Sequence, residues 1–180
     1  MKTNLLITFT LAIMLAIMGC DTVGKAGTSK ATSMTGKIRF EISKSNEVIL
    51  NLKRVLNAKL ELAQGKKLSD GVILMTHGSL AHYDMEIIAN FRKLLNEKGY
   101  NTLAINLSLD IDNRHGMYDC KVTHRHRNID AVHEIGVWVT WLKEQGVKNI
   151  VLFGHSRGGL QTALYAAEQD SDLIKAVILM

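Results

Sequence analysis

An α/β fold, a mostly parallel sheet with helices on both faces, is what this sequence predicts, and three observations predict it. Short continuous apolar runs recur from Val72 onward: "VILM", "LAI", "IVLF" and "AVILM". Runs of this length, apolar at every position, fit strands buried on both faces. Between them lie stretches whose apolar residues recur every three or four positions, and Gly closes several of these stretches, as it closes helices. Strand and helix alternating at this rhythm give βαβ units, and such units build a parallel sheet.

The elements follow in order. From Gly36, "KIRFEIS" and "EVILNLKRVLNAKLELAQ" alternate apolar and polar residues, as at Val48, Leu50 and Leu52, and read as two or three antiparallel strands. The second run is also compatible with a helix. Lys66 to Asp70 is a polar turn, and "GVILMTHG" is the first buried strand. "DMEIIANFRKLLNEKG" is a helix capped by Asp84, with Ile87, Ile88, Phe91, Leu94 and Leu95 as its buried stripe and Gly99 as its stop. "YNTLAINL" is a second buried strand, followed by a long polar loop. "NIDAVHEIGVWVTWLKEQG" is a helix with Val132, Ile135, Val139 and Leu142 on one face, and His133 on its surface. "NIVLFG", "SRGGLQTALYAAEQ" and "IKAVILM" complete the chain as strand, helix and strand.

Composition agrees with a globular domain and narrows the function classes. Of 180 residues, 47% are hydrophobic and 22% charged, far from a disordered chain. The net charge of +5 comes from scattered Lys and Arg, with no basic and aromatic cluster, so no nucleic-acid partner is expected. Residues 1–19 read as a signal peptide. Lys2 gives the positive start, and the 14-residue run Leu5 to Met18 is apolar but for Thr8 and Thr10, too short for the roughly 20 of a membrane span. The run ends in "IMGC", which resembles a bacterial lipobox. That resemblance implies cleavage before Cys20 and a lipid on its thiol; an ordinary cleaved signal and an uncleaved anchor are the alternatives. Residues 20–36 are small and polar, a flexible tether, which leaves residues 37–180 as the folded domain. The expected location is therefore outside the cytoplasm, on a membrane. With Cys20 acylated, Cys120 is the only other thiol and no intrachain disulfide forms.

One motif carries chemistry. "GHSRG", Gly154 to Gly158, is a G-x-S-x-G sequence set between a buried strand and an amphipathic helix. A sharp strand-to-helix turn there thrusts Ser156 outward as a nucleophile, and crowding at the turn excludes bulk at Gly154 and Gly158. Gly159 gives the helix room to approach the sheet. The bland alternative is a Gly-rich turn with no chemistry. A second short sequence, "THGS", Thr76 to Ser79, ends the first buried strand; its own bland alternative is a strand-ending turn.

From Lys37 to Met180 the chain resembles the α/β-hydrolase superfamily, and "DNRHGMYDC", "THRHRNIDAVHEIG" and "GHSRGG" are similar to an exported bacterial group within it. The resemblance implies a serine hydrolase acting on a small acyl substrate, most plausibly a carboxylic ester, without cofactor or metal. It implies an oxyanion hole formed by the backbone N–H groups of Ser79 and Arg157, with His77 and Gly78 shaping the first of these loops. In the superfamily the triad runs Ser, then acid, then His. Here Glu168, Asp170 and Asp172 follow Ser156, on the wrong edge of the sheet, and all seven histidines lie at or before His155. The resemblance thus implies an incomplete fold, ending at about the sixth strand, with the triad Asp and His in polypeptide beyond Met180. Two upstream histidines remain as substitutes. His155 points away from the Ser156 hydroxyl, and His77 has the loop to hold. "CKVTHRHR" could offer Cys120, His124, His126 and nearby Asp119 to zinc, but its spacing fits no strong signature, and a polar loop over the carboxyl edge of the sheet is the favoured reading. A non-catalytic binding protein and an inactive truncated product are the rival functions.

Overall fold

The structure, a computed structural model, describes residues 39–42, 46–52, 54–169 and 171–180. The expected signal peptide, the tether, Cys20 and Asp170 lie outside the described residues. Seven strands form one sheet: β1 (Arg39–Ile42), β2 (Glu47–Asn51), β3 (Val55–Glu61), β4 (Val72–Thr76), β5 (Thr102–Asn106), β6 (Ile150–Gly154) and β7 (Ile174–Leu179). Their spatial order is β1-β2-β3-β5-β4-β6-β7. The early antiparallel strands number three, so the chain's last strand is the seventh in sequence. β3 joins β5 antiparallel, and β5, β4, β6 and β7 are parallel to one another. Three helices connect the parallel strands: α1 (Glu86–Glu97), α2 (Asn128–Glu144) and α3 (Arg157–Glu168). A short 3-10 turn, Leu68–Asp70, occupies the expected polar turn.

The central apolar runs serve two cores at once. Side chains alternate across a strand, so Leu74, Leu103, Ile105 and Leu152 enter one cluster with Trp138, Trp141 and Leu142 of α2. Ile73, Met75, Ala104 and Phe153 enter the other, with Ile88 of α1. Burial on both faces is why every residue of β4 and β5 is apolar or lies at a ladder end, and why both strands are buried throughout.

Two details of the helices differ from the sequence reading. Asp84 does not cap α1: Met85 occupies the cap position, and Asp84 accepts a 2.8 Å bond from the Arg92 Nη2 instead. Arg92 is buried, and its guanidinium takes the carboxylate that the helix end would have used. Leu94 is 56% exposed and leaves the expected stripe. At about 100° per residue it stands roughly 120° from Ile88, the deepest residue of the helix, whereas Arg92 stands only about 40° from it. α2 behaves as expected, with Val132, Ile135, Val139 and Leu142 buried and His133 exposed; Ala131, Trp138 and Trp141 widen its buried face. Among the described residues β7 pairs only with β6, and Val177, Ile178 and Leu179 are exposed. No helix among the described residues is long and apolar enough to cross a membrane.

Candidate active site

β6 ends at Gly154 and α3 begins at Arg157, which leaves His155 and Ser156 to make the whole reversal. Ser156 takes φ 55° and ψ −124°, a conformation that side-chain-bearing residues rarely adopt. Neighbouring strands hold it there. The His155 N–H donates to Thr76 O at the end of β4 (3.0 Å), and the Ser156 N–H donates to Met180 O just past β7 (2.6 Å). Ser156 is exposed, and its hydroxyl has no partner among the described residues. The sharp bend expected from the motif is present.

The glycines are required, though for partly different neighbours than crowding within the turn alone would give. A Cβ on Gly154 would come within 2.6 Å of Gly158 O and Gly159 Cα. One on Gly158 would overlap the His77 carbonyl oxygen and lie 2.7 Å from Thr76 O. Gly158 therefore lets α3 begin directly against the end of β4. Gly159 is tight in a milder way, its missing Cβ lying 3.2 Å from Gly154 O.

The loop after β4 closes onto the same spot. A Cβ on Gly78 would stand 3.1 Å from Ser156 Cβ and 3.2 Å from the His155 Nδ1. The amide N–H groups of Ser79 and Arg157 have no acceptor among the described residues. Two unpaired donors thus flank an exposed serine at the positive end of a helix, an arrangement suited to holding a developing oxyanion.

Among the histidines, His77 is the one the site is built on, and it is fully buried. Its Nε2 lies 3.1 Å from the Leu107 N–H, a donor, so Nε2 accepts and carries no proton. The proton then sits on Nδ1 and is donated to Gly78 O at 2.8 Å. Burial lowers its pKa to about 3, with nearby Arg114 adding to the effect and the Gly78 bond only partly opposing it. With both nitrogens engaged, His77 holds the loop and is not free to take a proton from Ser156. His155 packs beside Gly78, with its Nδ1 buried and unpartnered. The downstream acids are remote: Glu168 closes the far end of α3, about 18 Å along a 12-residue helix. Asp172 precedes β7 at the opposite edge of the sheet.

The His77 shift has a stability consequence. Its pKa in the unfolded chain is near the ordinary 6.5 and in the folded chain about 3, so between these values the unfolded state binds the extra proton. His77 therefore opposes folding increasingly as pH falls through that window, by up to about 1.4 kcal/mol per pH unit, and the contribution is absent above it. Urea midpoints compared from about pH 7 to about pH 4 should fall more steeply for the natural protein than for His77→Gln. Parallel curves would contradict the buried neutral imidazole.

Several residues of the site region had no signal in the sequence. Arg114, in the long loop after β5, is buried and binds Leu107 O, Gly116 O, Ala81 O and Asn106 Oδ1. Glu134 of α2 accepts from the Ser108 N–H (2.7 Å) and lies 3.1 Å from the His126 Nε2, fixing the same loop from the other side. This is how His126 is used. Cys120 is exposed, and no group of three potential metal ligands occurs among the described residues. A cleft of about 780 Å³, lined by Arg54, Ser108, Arg125, His126 and Glu134 among others, lies against α2 and contains none of the elbow residues.

The sequence profile of the α/β-hydrolase fold family matches residues 71–180, which is 110 of the 180 residues. The chain belongs to the α/β-hydrolase fold family. Solved structures place the described fold in the same company. Est1E from Butyrivibrio proteoclasticus is 27% identical with a TM-score of 0.59, over 74% of this chain and 49% of that one. The α/β-hydrolase GrgF from Penicillium sp. sh18 (22% identity, TM-score 0.58, 74% and 44%) is similar in fold. So is a monoacylglycerol lipase from Paleococcus ferrophilus (23%, 0.52, 69% and 42%). This α/β-hydrolase chain spans about half the length of Est1E. No curated protein matches the sequence.

Proposed function

We propose that the protein is a serine hydrolase that cleaves a carboxylic-ester-like bond of a small molecule, with Ser156 as nucleophile. The observation that carries this reading is the exposed Ser156 at φ 55°, flanked by the unpaired amides of Ser79 and Arg157. In the proposed reaction the Ser156 hydroxyl attacks the acyl carbon, and the carbonyl oxygen becomes an oxyanion held by those two N–H groups. A His from polypeptide beyond Met180 takes the serine proton and returns it to the leaving alcohol; an Asp orients that His. Water then releases the acid by the reverse steps. Family membership and the triad order Ser, acid, His support placing the missing pair downstream. No metal or organic cofactor is needed for these steps. A structure of Est1E is described with ferulic acid bound, so an aromatic carboxylic ester is a reasonable first substrate. The test is labelling of the full-length protein with a fluorophosphonate, mapped by mass spectrometry. Label on the Ser156 peptide is expected, and a folded protein that takes none would overturn the reading.

A second reading, a binding protein that keeps the elbow as a turn, is favoured by one observation. No histidine among the described residues touches the Ser156 hydroxyl. Ligand binding without label or turnover would select it. Location is part of the proposal as well: the apolar run and "IMGC" support export and a lipid on Cys20. A clickable palmitate analogue should label the natural protein and not Cys20→Ala; equal labelling would remove the anchor.

A further inference from the structure

The Arg114 guanidinium is buried, and among the described residues no carboxylate touches it. Burial lowers its pKa to about 10 against the opposing influence of the Glu134 and Tyr83 charges, so it stays protonated at neutral pH. Keeping a desolvated charge without an ion-pair partner is costly, which makes its contacts worth tracing. Nε donates to Leu107 O at 2.7 Å, and Nη1 to Gly116 O at 2.6 Å. Nη2 stands 2.9 Å from Ala81 O, 2.8 Å from Asn106 Oδ1 and 3.1 Å from the His77 Nε2. One side chain thus joins the end of β5, its own loop and the loop after β4.

The contact with His77 decides a tautomer. An Arg guanidinium only donates, and so does the Leu107 N–H, so both groups facing Nε2 require it to be the bare nitrogen. Arg114 also anchors Leu107 through its carbonyl oxygen, on the far side of the Cα from the N–H that faces Nε2. The proton is therefore on Nδ1, and Nδ1–H donates to Gly78 O. Gly78 O and the Ser79 N–H belong to one trans peptide unit, in which C=O and N–H point in opposite directions. Fixing the carbonyl toward His77 therefore turns the Ser79 N–H away from it.

We infer that Arg114 is a positioning residue: acting through the His77 tautomer, it sets the direction of the Ser79 N–H that the proposed reaction uses as an oxyanion donor. The inference rests on the proposed hydrolase reading for its catalytic consequence, and on geometry alone for the Arg114–His77–Gly78 relay. The relay also gives Arg114 a more exacting task than packing, because a lysine could supply charge and one donor but not the fork that reaches three segments.

The experiment uses full-length protein with ¹⁵N-labelled histidine, natural and with Arg114→Lys or Arg114→Met, either folded variant being sufficient. Ring correlation spectra should show His77 in the natural protein as a single species protonated at Nδ1. In the variants a mixture of tautomers is expected, with kcat for an ester substrate reduced by about 10- to 100-fold and KM little changed, less than the loss on deleting an oxyanion donor outright. Partial recovery of kcat in Arg114→Gly on adding guanidinium would support the same assignment. A folded variant that keeps the single tautomer overturns the inference, whether or not kcat falls, because any loss would then come by another route. A tautomer mixture with kcat unchanged overturns its catalytic half. A natural protein with no esterase activity and no phosphonate label refutes the hydrolase reading instead, and the ring spectra still decide the relay.

Discussion

Ser156→Ala should lower kcat/KM for an ester substrate by about 10⁴- to 10⁶-fold in the full-length protein, the scale on which removing a serine nucleophile acts in other hydrolases. The fold should not suffer. The Ser156 side chain is exposed and its hydroxyl has no partner among the described residues, so its removal leaves no cavity and no orphaned group. The backbone bonds that shape the bend, from the His155 N–H to Thr76 O and from the Ser156 N–H to Met180 O, survive the substitution. An unchanged denaturation midpoint with activity gone is the expected pair of results. Full activity in Ser156→Ala would remove the serine from the mechanism.

Gly158→Ala should instead act through the fold and cost at least about 3 kcal/mol of stability, at or above the upper end of ordinary overpacking effects. The new methyl would meet the carbonyl oxygens of His77 and Thr76, backbone atoms of a central strand and its following loop that cannot rotate aside. Relief requires α3 to lift from the end of β4, which would carry the Arg157 amide with it, so activity should fall too. Gly136→Ala makes a useful contrast. It lies inside α2, its Cβ would meet only Tyr165 Cε2 at 3.4 Å, and the change should be neutral or stabilising by up to about 1 kcal/mol. Chemical denaturation of the two variants tests both; a Gly158→Ala protein as stable as the natural one would contradict the close approach.

The parts of this molecule that were readable from sequence are those governed by local periodicity. β4, β5 and β6 announce themselves because burial on both faces leaves no charged or polar position inside the ladder, and α2 because its apolar residues return every turn. The elbow was readable since its glycines exclude any other side chain. Asp84 looks like a cap in the sequence because its actual partner, Arg92, sits eight residues on, and nothing local says a charged residue will be buried. Arg114 was missed for a related reason. A basic residue in a polar loop looks solvated, and its role exists only once β4, β5 and their loops are side by side. Gly158 was recognised, but its true neighbour is a strand some eighty residues earlier in the chain, a distance that no short motif encodes.

The two backbone bonds that clamp the bend tie the Ser156 conformation to the assembly of the sheet. One anchor is the end of β4 and the other lies just past β7, elements separated by about a hundred residues of chain. Ser156 can hold its unfavourable torsion only after both flanking strands have docked beside β6. In a half-assembled chain the bend lacks at least one of its anchors, so under the proposed mechanism the orientation of Ser156 arrives with the pairing of β4, β6 and β7.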